Sequence, residues 1–150
     1  MCSSDLDAKL GQQVLHGVHR ATEARCALAA HDCSEGGLAV AVAEMALGGR
    51  LGVRVDLGAI VADGNLDATQ RMFSESQSRI VLEVPKDRLA DLRANLRDTP
   101  HAVIGEVTGS DSVEFTLAGR SVAKLALTQI EQAWKRPLDL DGTLIQEVQK

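Results

Sequence analysis

Tyrosine is absent from this chain, and Phe73, Phe115 and Trp134 are its only aromatic residues. That scarcity argues against aromatic platforms on which bases stack. Positive charge is not in excess either. The formal net charge is -5 over 150 residues, so the footprint of a nucleic-acid binder is missing. The cysteines Cys2, Cys26 and Cys33 are odd in number and form no Cys-x-x-Cys pair. A disulfide framework is not expected, and a reducing compartment suits them better. No run approaches the roughly 18 apolar residues of a membrane span. The opening Met1-Cys2-Ser3-Ser4-Asp5 is polar and acidic, unlike a signal peptide. These absences predict a cytoplasmic protein that meets neither membrane nor nucleic acid.

What remains is an ordinary globular composition, 45% apolar and 25% charged. One domain over residues 1–136 is expected, with a tail of uncertain order over 137–150. Leu6, Leu10, Val14 and Val18 recur every four residues, which predicts an amphipathic helix capped by Ser4 with Asp7. Ala27 to Ala30 reads as a short interior strand. Leu38 to Leu47 is apolar almost all round, Glu44 excepted, and reads as a buried helix. Leu51, Val53, Val55 and Leu57 alternate with polar or small residues, as a half-buried strand does.

A short helix is expected near Leu66 to Phe73, a strand over Ile80 to Val84, and a helix carrying Leu89, Leu92 and Leu96. Strands Ala102 to Val107 and Val113 to Leu117 are expected to form a hairpin through Gly109-Ser110-Asp111. Thr128 and Glu131 read as a capping box before a last helix that ends at Pro137. The order predicts an α+β sandwich: a mixed sheet of about five or six strands with helices mainly on one face.

Two polar stretches stand out. Asp32-Cys33-Ser34-Glu35-Gly36-Gly37 lies where a strand turns into the apolar helix. Glycines there permit positive φ and close backbone approach, and free N–H groups at a helix start favour phosphate or carboxylate. The same turn reads equally as a capped turn, with Ser34 or Asp32 as the cap. The second stretch, Phe73-Ser74-Glu75-Ser76-Gln77-Ser78-Arg79, offers hydrogen-bonding side chains and a guanidinium suited to an anion. It reads also as a solvated loop. No P-loop and no Gly-x-Gly-x-x-Gly is present. His16 and His19 lie on one helix face with Glu23 beyond, and His31 flanks Asp32 with Cys33. Neither group has enough ligands at suitable spacing for zinc, so no metal site is expected.

His31-Asp32-Cys33-Ser34-Glu35-Gly36-Gly37-Leu38-Ala39, running into Ala43-Glu44-Met45, resembles the C-terminal subdomain of phosphoribosylformylglycinamidine synthases. The family pattern there is His-Asp-x-Ser-Asp/Glu-Gly-Gly-Leu-Ala followed by Ala-Glu-Met. Phe73-Ser74-Glu75-Ser76 with Arg79 matches a second family block, and the likeness extends over roughly residues 5 to 136. It implies an AIR synthase C-terminal-domain-like fold. It also implies an ATP-dependent carbon–nitrogen ligase of purine biosynthesis with glutamine as amide donor. Such an enzyme converts formylglycinamide ribonucleotide to its amidine.

By position, Asp32, Ser34, Gly36 and Gly37 would hold a phosphate of substrate or nucleotide. His31, Ser74, Glu75, Ser76 and Arg79 would line the cleft, and no residue is given a catalytic step. A Gly37→Val change is expected to abolish ligand binding in a folded domain. ATP and magnesium belong to the full enzyme, and none is expected to bind this chain tightly. The implied partners are an upstream ATP-binding domain, a glutaminase subunit, a small accessory subunit and a small nucleotide substrate. The family's upstream catalytic segments are missing from these residues, so the chain reads as a domain fragment, inactive alone. Related domains of aminoimidazole ribonucleotide synthetase, selenophosphate synthetase or thiamine-phosphate kinase type are the alternative, as is a non-catalytic ligand-binding or dimerisation module.

Overall fold

The computed structural model describes residues 7–62, 64–97 and 99–136. The elements follow the order α1 (Ala8–Glu23), β1 (Ala29–Asp32), α2 (Gly37–Gly49), β2 (Gly52–Asp56), α3 (Ala68–Phe73), β3 (Ile80–Glu83), α4 (Leu89–Leu96), β4 (Gly105–Thr108), β5 (Ser112–Leu117), β6 (Arg120–Ala126) and α5 (Leu127–Lys135). Among the described residues there are six strands, within the expected five or six, but divided between two sheets. β1 pairs with β3 alone, and the larger mixed sheet runs β4-β2-β5-β6.

α2 seats both sheets. It packs on β1 and β3 of the small sheet and on β2 and β5 of the large one. Leu38, Ala41, Val42 and Ala46 recur at helical spacing on its buried face. They meet Val55, Leu57, Val113 and Phe115, and Leu38 is only 2% exposed. Burial of one such side chain is worth roughly 1.5–3 kcal/mol. Val55 and Leu57 point inward while Arg54 and Asp56 point out, as the alternation predicts. Leu57 itself begins a single 3-10 turn, Leu57–Ala59.

A second, smaller cluster joins α1 to α4 through Ala21, Cys26, Leu92 and Leu96. α1 buries its small residues more fully than the expected apolar stripe, of which Val14 and Val18 are half-buried. Gly11, Gly17 and Ala21 lie inside, and Leu10 is exposed. Small residues win because the chain after α4 comes very close: a Cβ on Gly17 would sit 2.8 Å from Thr99 Oγ1. The cap of α1 is Asp7, which accepts from the Leu10 N–H at 2.9 Å. Ser4 lies outside the described residues.

Three other expectations are corrected. β1 is mostly exposed rather than interior, because it has one strand neighbour and α2 covers it on one side only. β4 and β5 do not form a hairpin. β2 lies between them, antiparallel to β4 and parallel to β5. The Gly109-Ser110-Asp111 connection therefore crosses the end of β2, where the Gly52 N–H donates to the Ser110 carbonyl at 2.8 Å. Only glycine fits there, since a Cβ on residue 52 would lie 2.6 Å from that oxygen. The tight hairpin is β5–β6, turning on Ala118 and Gly119 at φ 50° and 74°. Finally, Gln129 rather than Glu131 caps α5: its side-chain oxygen accepts from the Ala126 N–H at 2.9 Å. Glu131 instead binds Arg50 and Lys135.

Candidate functional site

The register of β1 on β3 brings the two polar stretches together. Asp32 pairs with Ile80, so the chain leaving β1 runs beside the chain entering β3. The Cys33 N–H extends the ladder by donating to the Arg79 carbonyl at 2.8 Å. Beyond it, Gly36 and Gly37 take left-handed φ of 78° and 61° and start α2. Gly37 lies against the backbone of 72–74, where a Cβ would be 2.7 Å from the Ser74 carbonyl oxygen and 2.9 Å from Phe73 C. Any side chain there collides with main chain. The Gly37→Val expectation is therefore corrected: that change disrupts the local fold before it tests ligand binding.

The N–H groups expected to be free are engaged within the chain. Gly36 N–H donates to Glu75 Oε1 at 2.8 Å, and Gly37 N–H donates to the Ser34 carbonyl at 3.0 Å. Glu75, a carboxylate, thus occupies the position where a helix start attracts an anion. Neither Ser34 nor Asp32 caps α2. Asp32, Ser34 and Ser76 are exposed, and among the described residues the Ser34 and Ser76 hydroxyls make no hydrogen bond within the chain. The 74–79 loop is braced from inside. The Arg79 guanidinium donates to the Ser74 carbonyl at 3.0 Å, and the Ser74 hydroxyl donates to the Gln70 carbonyl.

His31 ties the turn to α2. Its Nδ1 lies 2.7 Å from the Asp32 carbonyl oxygen and its Nε2 lies 3.0 Å from Glu44 Oε2. Both partners are acceptors, so both contacts are hydrogen bonds at once only when the ring carries two protons. Glu44 and Gln70 are the residues the sequence reading overlooked. Glu44 had a signal, as the one charge in an otherwise apolar helix. Gln70 had none.

A cavity of about 690 Å³ opens between the two sheets, lined largely by apolar side chains. Arg79, Ser78 and Cys33 reach it, whereas Asp32, Ser34, Gly36, Gly37, Glu75 and Ser76 do not. Burial raises the Cys33 thiol, and Asp32 adds to this; Arg79 opposes it. The thiol is therefore held protonated and is no ready nucleophile. Among the described residues no group of three or more His, Cys, Asp or Glu side chains is arranged to hold a metal. His19 contacts Glu23 at 3.5 Å on the surface, and His101 Nδ1 lies 2.8 Å from the Thr99 carbonyl oxygen. No helix among the described residues is long and apolar enough to cross a membrane.

With this geometry, likeness to known proteins becomes informative. The chain is 34% identical over 134 residues to the phosphoribosylformylglycinamidine synthase subunit PurL of Deinococcus radiodurans, and 39% identical over 137 residues to that of Moorella thermoacetica. In each case 89% of the chain aligns, with 18% of the relative. The chain thus spans about a fifth of the length of these relatives. Its fold matches a structure of PurLQS from Thermotoga maritima with TM-score 0.76 and 16% identity, covering 85% of this chain and 23% of that one. T. maritima PurL complexed with ATP gives TM-score 0.73 and 17% identity, covering 79% and 21%. A family described as AIR synthase related protein, C-terminal domain, matches residues 7–118, and the chain belongs to that family.

Proposed function

We propose that this domain forms one wall of the substrate cleft of a cytoplasmic, ATP-dependent phosphoribosylformylglycinamidine synthase. That enzyme would convert formylglycinamide ribonucleotide to its amidine with ammonia drawn from glutamine. The observation that supports this reading is the interlock of the two polar stretches. Gly37 packs on 72–74, Glu75 holds Gly36, and Arg79 continues the ladder at Cys33. Two sequence blocks some 40 residues apart thereby make one exposed polar rim, as a cleft wall requires.

In this reading Asp32 and Ser34 face the ligand, and the Gly36–Gly37 turn receives a phosphate of substrate or nucleotide. An incoming phosphate displaces the Glu75 carboxylate from the Gly36 N–H, one anion exchanging for another. His31, Ser74, Ser76 and Arg79 brace or line the rim. ATP supplies the phosphoryl group that activates the substrate amide oxygen, held by a preceding ATP-binding domain together with magnesium. A glutaminase subunit and a small accessory subunit deliver ammonia. No residue of this chain is assigned the chemical step, and the domain alone is expected to be inactive.

The test joins this chain to a PurL ATP-binding segment and assays ammonia-dependent amidine formation from formylglycinamide ribonucleotide. Activity that Asp32→Asn lowers is expected. A complex that folds and binds ATP but gives no amidine with this substrate would overturn the reading.

A further inference from the structure

α2 carries a single charge, Glu44, in an otherwise apolar helix. A half-buried carboxylate there costs free energy unless it is paired. His31 supplies the partner: its Nε2 lies 3.0 Å from Glu44 Oε2, where β1 packs on α2. The other side of the same half-buried ring reaches the turn. Nδ1 lies 2.7 Å from the Asp32 carbonyl oxygen and 3.6 Å from Asp32 Oδ1.

These contacts converge on one peptide unit. The Asp32 carbonyl faces the ring, and the N–H of that unit, on Cys33, donates to the Arg79 carbonyl at 2.8 Å. A peptide unit is planar, so holding it at both ends fixes its plane. That plane sets where the exposed Asp32 side chain points and how the chain enters Ser34 and the two left-handed glycines. Val81 pairs with His31 across the small sheet, and Arg79 and Glu83 stand at the diagonal positions beside it. Arg79 is bound to the Ser74 carbonyl, Glu75 holds the Gly36 N–H, and Glu35 is exposed. Asp32 and Glu44 are thus the charged groups in contact with the ring among the described residues.

We propose that Glu44 and His31 form a protonation-gated clamp that positions Asp32 and the 32–37 turn for a ligand. With two protons on the ring, Nε2–H donates to Glu44 and Nδ1–H to the Asp32 carbonyl, and the turn is held. When one proton leaves, one of the two bonds is lost and the turn loosens. The clamp is therefore closed at lower pH and opens as pH rises through the titration of the ring. Both residues act through Asp32, as positioning residues. The effect on ligand binding rests on the cleft reading above, whereas the clamp itself does not.

The experiment follows the His31 ring nitrogens and the backbone amides of 32–37 by NMR across pH in the 150-residue chain. The amides are expected to shift along the His31 titration and to ignore that of His19, which meets Glu23 at 3.5 Å on the surface. Glu44→Leu suits the apolar helix and keeps the fold, yet the turn amides are expected to stop following His31. Glu44→Gln keeps an acceptor for Nε2–H and should restore part of the coupling, which a packing role would not. In the chain joined to a PurL ATP-binding segment, KM for formylglycinamide ribonucleotide is expected to rise about fivefold as the ring loses its proton. In Glu44→Leu it should be raised at every pH, with kcat little changed. Turn amides that stay still while His31 titrates would overturn the proposal. So would coupling in Glu44→Leu equal to that of the parent, or a parent KM that moves with pH no more than that of Glu44→Leu. Coupled shifts alongside a joined enzyme that makes no amidine would sink the cleft reading and uphold the clamp.

Discussion

The half of the molecule around α2 and the half around α1 and α4 hold together differently. Around α2, eleven buried apolar residues among those described form one cluster that joins both sheets, α3 and α5. Between α1 and α4 only Ala21, Cys26, Leu92 and Leu96 do so. The first half is a packed core with a rigid turn at its edge. The second is a close apposition of backbones, permitted by Gly17 and Ala21, with little apolar volume to lose. The exposed polar rim of Asp32–Gly37 and Ser74–Arg79 rests on the half with the larger core.

The largest expected effect tests that asymmetry. Leu38→Ala is expected to cost about 2–5 kcal/mol in denaturant unfolding, because it empties the centre of the larger cluster. Leu96→Ala is expected at the low end of that range. In native-state hydrogen exchange α1 and α4 amides should open at lower free energy than those of α2. A single shared opening energy would show that the two halves form one cooperative unit.

Gly37→Ala comes next, expected to destabilise by about 2–3 kcal/mol from the left-handed φ and the contact with 72–74 together. Thermal denaturation measures it, and a loss no greater than that of Gly48→Ala would show that the interlock is loose. Glu75→Ala removes one charge-assisted bond at an exposed site and is expected to cost about 1 kcal/mol. The same variant should leave the Gly36 N–H open and raise affinity for phosphate at the turn. Unchanged affinity would count against that use of the site.

The smallest effect depends on pH. Bonds from Arg50 and Lys135 hold the Glu131 carboxyl down at about 2 instead of its ordinary 4.5. A depressed carboxyl stabilises the fold fully above its unfolded value and loses that contribution as pH falls through the folded one. Parent and Glu131→Gln should therefore differ in melting temperature at neutral pH and converge as pH drops from about 4.5 towards 2. A gap that persists at the acid end would assign the difference to packing.

How far the sequence foretold these two halves follows from how local each signal is. α2 and β2 were legible because apolar spacing at periods 3.6 and 2 states which face is buried. The shared edge of Asp32–Gly37 and Ser74–Arg79 was legible as two polar stretches matching one family. That Glu75 occupies the Gly36 N–H was not, since nothing near residue 36 announces a partner 39 residues on. The Gly109-Ser110-Asp111 signal was misread for a related reason: a turn predicts reversal of direction, not whether another strand lies between. Thr128 and Glu131 had capping-box spacing, yet α5 starts two residues earlier than that pattern implies, so Gln129 holds the third helical position.

The position of β2 between β4 and β5 has a consequence for how the chain assembles. β4 and β5 are separated by only a few residues and run antiparallel, so their direct pairing is the quick local event. The native sheet needs the much earlier β2 to arrive first, over a sequence separation of some fifty residues or more. A chain in which the local pair closes too soon must open it again before β2 can enter. Folding of this half is thus expected to be slow, and Gly52, which lets Ser110 pass over the strand end, is where that entry succeeds or stalls.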